Sequence, residues 1–265
     1  MKLSVVIPTK NEEANIGACI DAFAAFRDDV ELIVVDNSSP DRTREIAAAK
    51  GVKVFVQGPE RCAQRNRGWR EASGEYVMFV DADMIVPEKT IREMFECLNG
   101  GMFECYWIPE VRTGRGIRMK ARNFERSFYD GTCIDGFRVI RRDCIEKVGG
   151  YDEKLVACED WDLDRRLLAA GVRPAITKGH LIHNEARQDL ATLLKKKAYY
   201  SSSIAAYRNK WGDDEICRRQ FGIAYRFVGV FVEQGKWRKL LRHPILALFM
   251  YFERFMVGLT YLLNR

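Results

Sequence analysis

Over the first hundred residues the apolar positions form short unbroken runs, separated by stretches in which they recur every three or four residues. The runs Leu3-Ser-Val-Val-Ile-Pro8, Glu31-Leu-Ile-Val-Val-Asp36, Val52-Lys-Val-Phe-Val56 and Glu75 to Val80 read as buried strands. Glu12 to Phe26, Pro40 to Lys50, Arg61 to Ala72 and Pro87 to Leu98 carry helical spacing, the second opened by Ser39 or Pro40. Strands apolar along their whole length, alternating with helices, predict an α/β fold with a mostly parallel central sheet flanked by helices.

The middle of the chain is less regular. Met102 to Pro109 and Gly131 to Ile140 read as strands, with Thr113-Gly-Arg-Gly-Ile-Arg118 between them as a flexible basic loop. Gly149-Gly-Tyr-Asp-Glu153 is a turn ahead of a helix from Glu159 through Ala170, and Val172 to Ile182 is a final strand closing near His180 and His183. From Ala186 onward the pattern is helical. The chemistry-bearing domain is therefore expected over 1–185, with a helical region over 186–265.

Composition narrows the class. The chain has 265 residues, 47% hydrophobic and 30% charged, with a net charge of +6, which suits a globular protein and excludes general disorder. The strand pattern starts at Met1-Lys-Leu with no leader ahead of it, so a cytosolic setting is the expectation. The eight cysteines contain no CxxC pair and no zinc-ligand spacing, and are read as small core residues.

Candidate chemistry gathers where parallel strands end. Ligands bind at the carboxyl ends of such strands, which puts Pro8 to Glu12, Asp36 to Ser39 and Asp81 to Asp83 along one rim. Carboxylates on several strand ends repel one another unless a cation or ligand hydrogen bonds compensate. A hard divalent cation, Mn²⁺ or Mg²⁺, would satisfy Asp81 and Asp83 and leave positions for phosphate oxygens. The bland alternative is that Asp81 caps a turn and Asp83 is solvated. Glu159-Asp160-Trp-Asp162 opens a helix, where the macrodipole alone favours acids.

Six motifs, IPTKNE at 7–12, VVDNSSPDRT at 34–43, QRNRG at 64–68, FVDADM at 79–84, GGYDE at 149–153 and EDWDL at 159–163, occur in the order of a known family. Over residues 1–185 the chain resembles the inverting family 2 glycosyltransferases of GT-A fold. The resemblance implies that Pro8, Thr9, Glu12 and Asp36 hold the base and ribose of a nucleotide-diphosphate sugar, with Arg65 and Asn66 beneath the nucleotide. It implies Asp81 toward ribose or metal, Asp83 on the metal, and Asp160 as catalytic base with Glu159 beside it. A histidine after the last core strand would approach the metal or diphosphate, His183 ahead of His180, although a strand-end histidine also serves as a hydrogen-bonded structural residue. The size and the FVDADM stretch are similar to lipid-directed sugar transferases such as the dolichyl-phosphate mannose synthases, which points to GDP-mannose.

The last segment, Pro244 to Leu263, has the length to span a bilayer, but Glu253-Arg254 at its middle argues against a lipid-facing span. On a helical wheel Glu253, Arg254, Tyr261, Asn264 and Arg265 share a narrow face and apolar residues cover most of the rest. With Lys236, Arg238, Lys239 and Arg242 ahead of it, the segment reads as a helix lying in a membrane interface, on the cytoplasmic face. The alternatives are packing on the catalytic domain, a homodimer contact, or a span. A membrane surface suggests a lipid or lipid-linked acceptor; the ED pair favours a hydroxyl acceptor over a polyprenyl phosphate, whose oxyanion needs no base. Nucleic acid is a poor partner, because the Lys and Arg residues sit beside apolar helix rather than among exposed aromatics. A nucleotidyltransferase would want a Gly-rich phosphate loop that IPTKNEEANIG lacks, and a non-catalytic nucleotide-sugar-binding membrane adaptor would bind without transfer.

Overall fold

A computed structural model describes residues 2–184 and 204–263, with side chains described to 256. The onset of the helical region at Ala186, the Lys195–Lys197 run, Asn264 and Arg265 lie outside the described residues, as does the side chain of Tyr261.

Seven strands form the main sheet in the order β3-β2-β1-β4-β8-β6-β9, and three form a second sheet, β5-β10-β7. Their ranges are β1 Leu3–Thr9, β2 Val30–Asp36, β3 Lys53–Val56, β4 Tyr76–Phe79, β5 Met84–Ile85, β6 Cys105–Trp107, β7 Glu110–Arg112, β8 Val139–Arg141, β9 Pro174–Ile176 and β10 Leu181–His183. The pairs β1–β2, β1–β4 and β2–β3 are parallel, whereas β8 runs antiparallel to both β4 and β6. The helices over the first part are α1 Ile16–Asp21, α2 Thr43–Ala49, α3 Arg61–Glu71, α4 Glu88–Gly100, α5 Gly116–Arg126, α6 Arg142–Val148 and α7 Glu159–Ala169.

Every residue of β1 and β2 is buried, because helices cover both faces. Leu3, Val5 and Ile7 pack toward α1 and α4 (Ile16, Ile20, Ile91, Met94), while Val6 faces α3 and α7 (Trp69, Leu163, Leu167). Period-two alternation within an all-apolar strand thus feeds two separate half-cores. On the second face α3 comes so close that a Cβ at Gly68 would sit 2.2 Å from Val6 Cγ1, so only glycine fits there.

Register sets the rim. Thr9 lies opposite Asp36, and Val6 opposite Phe79, so the chain reaches the level of Pro8 two residues past β4, at Asp81. The strand order turns back between β1 and β4, the switch point at which open α/β sheets leave a crevice.

The structure departs from the expected elements in several places: the helix expected over Glu12–Phe26 is broken into α1 and a 3-10 turn Ala24–Phe26, and the strand expected over Met102–Pro109 is confined to β6. The basic loop at 113–118 is cut short because Gly116 begins α5, which buries Ala121 and Phe124. The strand expected over Gly131–Ile140 is confined to Val139–Arg141, since hydrogen bonds from Thr132 to Tyr129 O and from Asp135 to Thr132 O fold the segment ahead of it into turns. The final strand is two, β9 and β10, split at Thr177–Gly179, where Glu93 accepts from the backbone of Lys178 and Gly179.

The described C-terminal residues are mostly helical: α8 over 204–211, α9 Glu215–Phe221, a π-helical turn Tyr225–Gly229 running into α10 Val230–Val232, α11 Trp237–Arg242 and α12 Pro244–Leu263. The charged face of the last helix turns inward. Arg254 and Glu253 point toward the protein: Arg254 pairs with Glu125 and donates to Tyr129 Oη (2.9 Å) and Arg226 O (2.6 Å), and Glu253 pairs with Arg118 (2.9 Å). Burying a guanidinium demands such partners. Lys236 and Lys239, expected at a headgroup surface, instead donate to the carbonyls of Phe128 (2.8 Å) and Ser127 (3.3 Å) just past α5.

At the opposite, amino end of the sheet, buried Glu31 accepts from Ser4 and from Ser73 N (2.7 Å) and pairs with Lys53 (2.6 Å). Burial alone would raise its carboxyl, but those partners outweigh it and hold it at about 2, from an ordinary 4.5. A folded value below the unfolded one stabilises the fold above pH 4.5 and is lost as pH falls toward 2. Wild type should therefore lose on the order of 2 kcal/mol more than Glu31→Gln between neutral pH and about pH 2, read by denaturant unfolding; parallel curves for the two proteins would refute it.

Candidate active site

Asp36 is fully buried at the end of β2 and accepts from Thr9 Oγ1 (3.0 Å), Ser39 N (2.8 Å) and Ser39 Oγ (2.5 Å). Gln64 of α3 donates to both Thr9 O and Val35 O, tying the ends of β1 and β2 together. Glu12 begins the next turn: its carbonyl accepts from Asn15 N and Ile16 N, and its carboxylate from Asn15 Nδ2 (2.8 Å). Pro8 is buried within β1. Among the described residues, three of the four non-glycines with positive φ, Asn11, Ser38 and Cys158, belong to loops at this rim or directly precede Glu159. Such backbone costs energy and persists where surrounding structure over-determines it.

Arg65 is the centre of the site. Only 1% exposed, it donates to Asp160 Oδ1 (2.7 Å) and Asp81 Oδ1 (3.2 Å), stands 3.6 Å from Glu159, and lies over the Tyr151 ring. Asp81 also meets Arg138 Nη1 at 3.5 Å. Burial would raise the Asp81 carboxyl, but Arg65, Arg138 and Arg61 hold it well below the usual carboxylate range. Arg138 in turn pairs with Glu110, whose carboxyl is kept at about 2 by Arg138 and Arg126 against the effect of burial. A row of alternating charge thus crosses the floor: Asp160, Arg65, Asp81, Arg138, Glu110, Arg126, Asp135.

Asp83 has a different neighbour. Its Oδ2 lies 3.1 Å from His183 Nε2, and the backbone of Asn184 donates to Asp83 O (2.8 Å). That hydrogen bond raises the His183 imidazole above its ordinary value despite burial. The backbone of His180 donates to Thr90 Oγ1 of α4, with Lys89 nearby. The structure thus brings Asp83 and His183 together, but among the described residues no group of three or more His, Cys, Asp or Glu stands ready to hold a metal. Two protein donors with open positions fit a hard cation that shares phosphate oxygens.

The acids of α7 separate by role. Glu159 is buried, its carboxyl raised by burial and by Asp160, with Arg61 (3.4 Å) and Arg65 as partners. Asp160 retains exposure (32% of its side chain). Asp162 is spent on Lys210, Arg166 and Trp211, and Asp164 on Phe137 N and Trp107 Nε1. Asn66 is likewise occupied: it bonds Tyr151 N and O, Glu153 and Trp69, so it anchors the 149–153 turn from a buried position.

Sequence reasoning missed Arg138, Glu110 and Gly136. A Cβ at Gly136 would stand 2.9 Å from Asp160 Cβ, so this glycine leaves the space Asp160 occupies. The usable signal was an arginine inside the otherwise apolar run Phe137 to Ile140.

The "Glycosyl transferase family 2" model matches residues 4–149, more than half of the chain and the whole of this rim up to the 149–153 turn. The chain belongs to glycosyl transferase family 2. It is 35% identical over 109 residues to the dolichol-phosphate mannosyltransferase of Pyrococcus furiosus, covering 38% of this chain and 31% of that protein. It is 31% identical over 190 residues to the glucosyl-3-phosphoglycerate synthase of Mycobacterium tuberculosis, covering 66% and 49%. The chain thus spans from about a third to about half the length of these two relatives. The mannosyltransferase of Pyrobaculum calidifontis, solved with GDP-Man and Mn²⁺, superposes with a TM-score of 0.63 at 17% identity, over 93% of this chain and 73% of that one; at that identity the likeness speaks for the fold. The family 2 chain described here has the GT-A-like architecture: a mostly parallel central sheet flanked by helices.

Proposed function

We propose that this protein is an inverting glycosyltransferase that moves a sugar from a nucleotide-diphosphate donor to a hydroxyl. The observation that carries this reading is the division of labour along one crevice: a buried strand-end carboxylate (Asp36), a second carboxylate fixed by two arginines (Asp81), a third paired with a histidine (Asp83), and a part-exposed acid across Arg65 (Asp160). Asp36, Thr9 and Glu12 suit base and ribose hydroxyls. Asp81, its charge already met by Arg65 and Arg138, suits the ribose side more than the metal. Asp83 and His183 would hold Mn²⁺ or Mg²⁺, which when bound supplies charge neutralisation at the departing diphosphate. Asp160 accepts the proton of the attacking hydroxyl, Glu159 and Arg65 hold it in place, and a single in-line displacement inverts the anomeric centre.

Similarity to mannosyltransferases favours GDP-mannose as the donor. The exposed apolar side of α12 supports a lipid or lipid-linked acceptor and a peripheral place on the cytoplasmic membrane face; among the described residues no helix is long and apolar enough to cross a membrane. The deciding measurement is a thermal-shift panel of GDP, UDP and dTDP with their sugars, with and without Mn²⁺, since a ligand of the native state raises Tm with occupancy. GDP-mannose with Mn²⁺ should give the largest rise, and Asp83→Ala should lose the Mn²⁺-dependent part. An unchanged Mn²⁺ response in Asp83→Ala would remove that residue from the metal site, and a larger shift with another nucleotide would replace the donor.

A further inference from the structure

Among the described residues, the C-terminal helices present an exposed apolar face. Leu241, Ile245, Leu248, Phe252, Phe255 and Met256 are exposed by between 43% and 75%. Within α12, Ile245, Leu248, Phe252 and Phe255 recur at spacings of three and four and so share one side, while Met250, Leu246, Tyr251 and Arg254 face the protein core formed with α5. The inward face holds the polar groups and the outward face lacks charge from Pro244 to Met256, the reverse of a helix that merely covers a soluble domain.

A charged border accompanies it. Arg118 of α5 pairs with Glu253, so the exposed edge of α5 adjoins the 252–256 part of the apolar face, and Arg238 and Arg242 lead into its other end. Every exposed charge on 113–120 and 234–256 is positive: Arg115, Arg118, Lys120, Arg238 and Arg242. The acids of these helices, Glu253 and Glu125, are turned inward onto Arg118 and Arg254. A helix pairing with a second copy in a coiled coil carries charges flanking its apolar stripe; here no exposed residue from Pro244 to Met256 is charged. Broad apolar surface bordered by exposed cations, of which Arg118 is shared with Glu253, is the chemistry of an interface between anionic headgroups and acyl chains.

We infer that α5, α11 and the first half of α12 form one platform that docks on anionic lipid bilayers, with Leu248, Phe252 and Phe255 entering the acyl boundary and Arg115, Arg118 and Lys120 meeting the headgroups. This rests on the membrane-associated reading above and deepens it: α5, rather than Lys236 and Lys239, supplies much of the lipid selectivity.

The test uses the full chain in flotation with vesicles of phosphatidylcholine alone and of phosphatidylcholine containing phosphatidylglycerol. Binding to the anionic vesicles should be tighter by on the order of tenfold or more and should weaken with salt. Arg115→Gln/Arg118→Gln/Lys120→Gln should lower it toward the neutral-vesicle level, and Leu248→Ser/Phe252→Ser/Phe255→Ser should abolish it, both with an unchanged Mn²⁺ and nucleotide thermal shift as proof of folding. Equal binding to both vesicle types would overturn the anionic selectivity while leaving membrane association standing. No binding to either would overturn both. Concentration-dependent dimerisation that the serine triple variant abolishes, without vesicle binding, would assign the face to a second copy instead.

Discussion

Replacing Asp160 with asparagine will reduce turnover by about two to four orders of magnitude while leaving donor affinity close to wild type. General-base removal costs about 10²–10⁴-fold, and the isosteric amide keeps an acceptor oxygen for Arg65 Nη1, 2.7 Å from the carboxylate it replaces. The donor-side groups, Asp36, Asp81 and Asp83, have their own partners and do not lean on Asp160 directly. The measurement is kcat alongside a nucleotide-sugar Kd by titration. Wild-type turnover in Asp160→Asn would move the proton transfer elsewhere, and a lost Kd would show that Asp160 holds the donor. Glu159→Gln separates the two acids: Glu159 is buried against Arg61 and Arg65, so its loss should appear in stability more than in kcat.

The second large effect is at Arg65. Arg65→Met removes a cation that pairs with Asp81, Glu159 and Asp160 together, while keeping most of the side-chain volume beside Tyr151. Breaking one side of a buried ion pair costs about 3–5 kcal/mol because the other charge is left uncompensated. Chemical unfolding should show a loss of that size, with activity falling as well. Combining it with Asp81→Asn gives the discriminating readout: removing one of the stranded charges should return part of the lost stability, a coupling that a cavity effect alone would not produce. Strict additivity of the two substitutions would refute charge compensation as the role of Arg65.

How much of this was legible in the sequence depends on which physical signal each residue emits. Asp36, Asp81 and Asp83 were visible because a carboxylate directly after an all-apolar run has no local reason to be there. The β1–β4 part of the sheet was visible for the same reason, since burial on both faces writes unbroken apolar runs. Arg138 and Glu110 were invisible: each is an ordinary charged residue until the antiparallel insertion of β8 beside β4 sets Arg138 against Asp81. α5 was hidden by Gly114 and Gly116, whose loop signal outweighed the Ala121 and Phe124 spacing just beyond. For α12 the wheel set Glu253 and Arg254 apart from Phe252 and Phe255 but could not say which side turned inward. That is decided by Glu125, Tyr129 and the carbonyl of Arg226, groups distant in sequence that exist as a partner set only after folding.

The row of alternating charge along the site floor has a thermal consequence. Desolvating ions becomes less costly as temperature rises, because hydration of charge carries an unfavourable entropy, whereas burial of apolar area gains little more. A floor built from Asp160 through Arg65, Asp81, Arg138, Glu110 and Arg126 to Asp135 therefore keeps its shape on warming better than a purely apolar one would. On heating, the crevice should be among the last parts of the molecule to exchange its amide hydrogens, after the exposed stretch 241–245 between α11 and α12 has begun to do so.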